Sequence, residues 1–121
     1  METKRELSSI NEATAVESPA GISRKILAFD KDMMICHFKM KKGVETAAHD
    51  HLAVQSGYVI SGKVKFTKGN GEAFTVSQGM GYMFSSMEKH AASILEDSEL
   101  VEIFAPMRKE FLEAEAAQKK A

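Results

Sequence analysis

The sequence predicts an all-β domain, a sandwich or barrel of short strands, with a single helix at its C-terminal end. Three observations carry that expectation. Apolar residues alternate with period two after Gly21, most clearly in "DMMICHFKMKKG". Turn signals, most of them bearing glycine, recur at short and regular spacing. After Phe104 the composition shifts to Ala, Glu and Lys, the residues of a helix.

Taken in order, residues 1–20 are polar, without a clean period, and read as a flexible or loosely docked arm. In the first clear strand Met34, Cys36, Phe38 and Met40 share one face. Met33, Ile35, His37, Lys39 and Lys41 share the other, which places His37 at the surface or an interface. Turn signals stand at 41–43, 61–62, 68–71, 77–81 and 96–99. Val64 and Phe66 share a face, as do Phe74 and Val76, and "KGNG" between "KVKFT" and "EAFTV" reads as a hairpin. Pro106 suits the first turn of a helix over 106–121, with Met107, Phe111 and Leu112 as its apolar stripe. No repeat or linker divides the chain, so the body of the domain runs over 21–105.

Composition narrows the function classes. At 121 residues the chain is one domain's worth and buries roughly two-thirds of the surface its unfolded form exposes. A net charge of -1 supplies no basic field for nucleic acid or anionic lipid. No window approaches the roughly 18 apolar residues of a membrane helix, and the N-terminus lacks the apolar core of a secretion leader. The lone cysteine, Cys36, sits at strand spacing among apolar residues and reads as a buried hydrophobe. A cytoplasmic protein, without a nucleic-acid or membrane partner, is the expectation.

The chemistry concentrates in "GVETAAHDHLAVQSGYVISG", residues 43–62. On a strand His49 and His51, two apart, project from the same face, and the small residues Thr46, Ala47 and Ala48 leave room around them. Imidazoles so placed can share one ion of zinc, copper, nickel or iron.

The spacing extends beyond the pair. Gly43, five residues, His49, one residue, His51, three residues, Gln55, six residues and Gly62 make one series; Gly79, five residues, Ser85, one residue, Met87, two residues and His90 make another. Together they resemble the two motifs of the cupin superfamily. The resemblance implies a small β-barrel, a jelly-roll-like double-stranded β-helix, holding one divalent metal ion on His49, His51, Gln55 and His90. Zinc, nickel, iron, manganese and copper all suit such ligands. Two departures stand out. The second motif usually has proline, glycine and asparagine where this chain has Ser85, Met87 and Ile94. The first usually has glutamate where this chain has Gln55. A neutral amide cancels none of the ion's charge, so the centre stays a strong Lewis acid suited to an anionic, oxygen-rich ligand.

"GISRKILAFDKDMM", the glutamine-bearing first motif and "LVEIFAPMRKEF" together resemble the pectin-degradation family, small cupins that linearise unsaturated uronates from pectin or alginate. That likeness implies a metal-dependent isomerase acting on a small carboxylate-bearing sugar. Its pocket would be lined by Glu102 as general acid/base, Phe104 as an apolar wall and Arg108 as both carboxylate clamp and catalytic residue; the family's usual acid is aspartate. Two other readings stand beside it, a non-heme metal oxygenase and a non-catalytic small-molecule-binding cupin. Tyr58 and Tyr82 read as wall packing in preference to pocket phenols, and Met80, Met83 and Met87 as filling around the loop to His90 in preference to a soft lip. Arg24 and Lys25 read equally as pocket charge or as a solvated strand edge. The outer face of 33–41, with Met33 and Ile35, suits a homodimer.

Overall fold

A computed structural model describes residues 2–120. Seven strands form one sheet: β1 (Ala15–Glu17), β2 (Ile22–Asp30), β3 (Met33–Met40), β4 (Val54–Lys68), β5 (Ala73–Ser77), β6 (Gly81–Phe84) and β7 (His90–Ala105); a helix, α1 (Lys109–Lys120), ends the chain. The hydrogen-bonded order is β1-β2-β3-β7-β4-β5, with β6 added to β4, and every pair is antiparallel.

This order corrects the expectation of a closed barrel. The ladder is open, with β1 at one end and β5 at the other, and among the described residues no pairing joins them. β1 has only three residues. The extended stretch that could continue the ladder, residues 41–53, makes only isolated bridges, Glu45 to Ser93 and His49 to His90. Closure needs continuous edges on both sides, and neither is present.

Two of the turn signals prove not to be turns. Residues 61–62 lie inside the 15-residue β4, and 96–99 lie inside the 16-residue β7. Both mark the register shifts between Val59 and Val64, where the two long strands slip and bend past one another. Gly62 sits there at φ +93°, and a Cβ on it would stand 2.2 Å from Ser98 Oγ and 2.5 Å from the Asp97 carbonyl oxygen. Only glycine fits both the left-handed backbone and the close approach. Past the bend β7 changes neighbours: residues 98–104 pair with β3, while Ala92 and Ile94 bond the stretch around Val44 and Thr46.

The predicted inner face holds. Met34, Cys36, Phe38 and Met40 are all buried, in a cluster with Val59, Val64, Phe66, Val76, Phe84 and Leu100. The Cys36 thiol is pushed up to about 12 by burial, so it is an inert, neutral filler. His37 departs from expectation: it is buried, with Nε2 2.5 Å from Glu99 Oε2. The reason is position, since β3 lies between β2 and β7 and Glu99 stands on β7 opposite Lys39. The "KGNG" hairpin forms, with Thr67 paired to Ala73.

Phe111 and Leu112 are buried on α1, which begins just after Arg108, and the Phe111 ring meets Phe104 edge-on at 5.3 Å. At the other end of the chain Arg5 forms a bridge to Phe29 and a two-point ion pair with Glu115 of α1. Among the described residues no helix is long and apolar enough to cross a membrane.

Candidate metal centre

His49 and His51 arrive on the extended stretch before β4, and His90 opens β7. Reciprocal backbone bonds between His49 and His90, at 3.0 and 2.9 Å, bring the two segments together. The three rings are 4.5 to 5.8 Å apart, and one nitrogen from each lies within 4.8 Å of the others. A single divalent ion fits such a cluster.

The second layer of contacts prepares the rings for it. Each Nδ1 faces a backbone carbonyl, that of Ala47 for His49 at 3.0 Å, Ala53 for His51 at 2.7 Å and Glu88 for His90 at 2.8 Å. A proton held on Nδ1 by these carbonyls leaves Nε2 as a bare lone pair, the ligand form of imidazole. Burial lowers the pKa of His51 and His90, with Arg108 and the neighbouring histidines adding to the effect, so both are neutral near pH 7.

Two atoms then need a cation. His90 Nε2 is buried and has no hydrogen-bond partner, the one such side-chain atom among the described residues. His51 Nε2 lies 3.1 Å from Gln55 Oε1. A neutral His51 has one proton and two oxygens to satisfy, Ala53 O at 2.7 Å and Gln55 Oε1. With the proton on Nδ1, two acceptors face each other, an arrangement that a shared metal ion resolves.

Gln55 has a second attachment. Its Nε2 donates to Glu102 Oε2 at 2.7 Å, and the Tyr82 hydroxyl donates a short hydrogen bond to that same oxygen. Glu102 is buried, and among the described residues its Oε1 accepts no hydrogen bond. Burial raises its pKa, and the bonds from Tyr82 and Gln55 and the charge of Arg108 only partly offset that. Burial likewise raises the Tyr82 phenol well above its ordinary range, so it stays protonated and donates to Glu102.

A cavity of about 470 Å³ gathers this set: His49, Gln55, His90, Glu102, Phe104 and Arg108 all line it. Arg108 donates from Nε to Glu110 at 2.6 Å and lies over the Phe104 and Phe111 rings at 5.2 and 4.1 Å, which leaves both Nη groups for the cavity. All six residues that the sequence singled out here, and His51 with them, thus come together. Sequence reasoning weighed Tyr82 as a pocket phenol, preferred wall packing, and so missed its bond to Glu102. The available signal was Gly57, which stands in register with Tyr82 on one side and Glu102 on the other and leaves room for the phenol to cross.

Comparison with known proteins follows the same lines. Residues 36–105 match the family model described as "Cupin domain". The chain is 33% identical over 94 residues to the pectin degradation protein KdgF of Dickeya dadantii (strain 3937), covering 76% of this chain and 84% of the relative. Among solved structures, an RmlC-like cupin from Shewanella frigidimarina NCIMB 400 superposes with a TM-score of 0.84 at 22% identity, over 91% of this chain and 99% of that one. KdgF from Halomonas sp. superposes with a TM-score of 0.79 at 29% identity, over 87% of this chain and 98% of that one.

Proposed function

We propose, from the premise that this chain belongs to the cupin family and is a relative of the pectin degradation protein KdgF, that it is a metal-dependent isomerase which linearises unsaturated uronates. One observation carries the reading. A three-histidine cluster, a buried carboxyl with a raised pKa and an arginine with free donors all face one cavity. A sugar acid needs those three things, one each for its oxygens, its transferred proton and its carboxylate.

When bound by His49, His51, His90 and Gln55, a divalent ion supplies Lewis acidity toward the ligand's oxygens. Arg108 takes the carboxylate in a fork through its two Nη groups. Phe104 forms the apolar wall against which the ring lies. Ring opening breaks the bond between the anomeric carbon and the ring oxygen, with a proton leaving the anomeric hydroxyl and one reaching the ring oxygen. Keto–enol transfer then moves a proton from the enol oxygen to carbon. Glu102 Oε1 is the group placed to hold that proton, because Oε2 is occupied by Tyr82 and Gln55. No electrons change hands, so no redox cofactor is required.

The reading includes a homodimer. Exposed Met33, Tyr58 and Met83 lie on the outer face of the sheet with the partly covered Ile35 and Ile103, an apolar surface suited to a second copy. Sedimentation at micromolar concentration tests it, and a monomer there refutes it. A cytoplasmic setting is in keeping with the buried, unpaired thiol of Cys36.

Proton NMR of unsaturated uronate monosaccharides with metal-loaded protein tests the activity. Wild type speeds conversion of the ring to the linear keto form, while Arg108→Ala and Gln55→Ala, still folded, do not. A wild type inactive with every divalent metal tried sinks the uronate reading.

A further inference from the structure

Arg24 occupies an unusual place for a charge. On β2 it alternates with Ile22 and Ile26, both buried, and it is itself only 6% exposed. Among the described residues its guanidinium makes no hydrogen bond and no ion pair; its one close partner is the Phe111 ring, 3.8 Å away. Arg5, the other arginine with a deeply covered side chain, donates to Glu2, Glu115 and the Ile26 carbonyl. Its nitrogens still reach the cavity, since His90 Nε2 is the one fully buried side-chain polar atom without a partner among the described residues. A cation so largely covered and without a counter-ion is nonetheless costly to keep, and a guanidinium cannot escape by losing its proton.

The carboxylates nearby are engaged elsewhere. Glu110 holds Arg108, Glu115 holds Arg5 and Lys119, and Glu102 accepts from Tyr82 and Gln55. Glu45, at the rim of the cavity, is exposed and unpaired with Arg24. Arg24 lines the same cavity as Arg108, and both guanidiniums lie over the Phe111 ring, at 3.8 and 4.1 Å. Two like charges against one ring repel unless an anion lies between or beside them.

We infer that Arg24 is a second anion-binding residue of the cavity, sharing the ligand's carboxylate with Arg108 and making the site selective for acidic over neutral sugars. The inference rests on the sugar-acid reading of the cavity, and it adds a residue which that reading leaves out. Among the described residues Arg24 is a positive charge that no carboxylate matches. A carboxylate supplies the missing partner, whereas a hydroxymethyl group in the same place supplies none.

The test uses D-galacturonate and D-galactose, which differ only in carrying a carboxylate or a hydroxymethyl group on C5. Each is titrated calorimetrically into the metal-loaded full chain. Wild type prefers galacturonate; Arg24→Gln lowers galacturonate affinity at least tenfold and leaves galactose affinity and metal loading unchanged. An unchanged acid-to-neutral ratio in Arg24→Gln overturns the inference, even if that variant is less stable. Should Arg24→Gln not fold, NMR decides: the Arg24 Nε–H signal of wild type, assigned by its loss in Arg24→Lys, shifts with galacturonate and not with galactose, and a signal that moves with neither overturns the inference. The two readings also part company. Arg24-dependent acid preference without uronate linearisation removes the isomerase and keeps this residue's role, while a wild type with no acid preference removes the role whatever the chain catalyses.

Discussion

Tyr82 on β6 and Glu102 on β7 are two strands apart, and the Tyr82 phenol reaches the Glu102 carboxyl across Gly57 of β4, which stands in register with both. A Cβ on Gly57 would lie 2.1 Å from Tyr82 Cζ, so the contact depends on the absent side chain. The phenol's hydrogen bond pulls the pKa of Glu102 down against the larger upward push of burial. Tyr82→Phe removes that pull. The acid limb of the pH–rate profile is expected to move to higher pH, because Glu102 then keeps its proton longer as pH rises. Stability should fall by about 1 kcal/mol for the lost hydrogen bond. A profile that keeps its position in Tyr82→Phe would separate Glu102 from the rate.

Gln55→Glu restores the usual cupin ligand and should still cost activity. The Gln55 amide presents oxygen toward His51 and donates nitrogen to Glu102 at 2.7 Å. A carboxylate can do the first and not the second, and two carboxylates at that distance must share a proton. The expected variant binds divalent metal more tightly and turns over roughly a hundredfold more slowly, the scale of losing one general acid/base. Metal titration and rate, measured on the same preparation, check both halves.

Metal should stabilise the fold through the orphaned nitrogen of His90. At a free concentration a hundred times Kd, linkage gives about 2.7 kcal/mol. His90→Ala should abolish that gain, and it should also lower the stability of the chelated protein, because it truncates a buried ring stacked on Phe84. Thermal unfolding with and without zinc, nickel or manganese, after chelation, reads it directly. A wild-type midpoint that no divalent ion moves would contradict the centre.

The same residues show how far the sequence could be read. The cluster of His49, His51 and His90 was legible because its spacing resembles the two cupin motifs, and Gln55 was placed beside it by the same likeness. That Glu102, Phe104 and Arg108 line a cavity could be expected only by likeness, since nothing in "VEIFAPMR" alone says that a cavity lies above it. The role of Gln55 was half legible. Its neutrality is a property of the residue, whereas its donation to Glu102 depends on β4 lying beside β7. The open sheet and the burial of His37 were not legible, because strand period gives faces and not neighbours. The signals at 61–62 and 96–99 were misread for a related reason, since glycine and acidic clusters mark bulges as readily as reversals.

Met87 is the one non-glycine residue at positive φ among the described residues, at 63°. It stands where the second cupin motif usually has glycine. Left-handed backbone costs a side-chain-bearing residue roughly 1–2 kcal/mol, and glycine gives back roughly 0.5–1 kcal/mol in chain entropy. The net expectation for Met87→Gly is therefore a gain of roughly 0.5–1 kcal/mol, since the exposed Met87 side chain loses little packing. Its amide bond to the His51 carbonyl, 2.8 Å, is backbone and should survive, so metal affinity should stay the same. Denaturant unfolding with a metal titration decides whether the turn is strained.

Arg5 and Glu115 tie the start of the chain to α1 through two bonds, at 3.1 and 2.7 Å. Burial pushes the Glu115 carboxyl up, but the bonds from Arg5 and Lys119 outweigh it and leave its pKa lowered, while Arg5 is raised. For a carboxyl with a depressed folded pKa, the stabilisation is present above its unfolded value of about 4.5 and is lost as pH falls through the folded value. Arg5→Ala should cost about 3 kcal/mol at pH 7, since it leaves Glu115 buried with only Lys119 for company. The gap between wild type and variant should then shrink as pH falls below the ordinary carboxylate range, because a protonated Glu115 no longer needs the arginine. Urea unfolding of both proteins at pH 7 and in acid measures that gap; one that is small at pH 7, or that widens in acid, would mean that the Arg5 pair does not hold the two ends of the chain together.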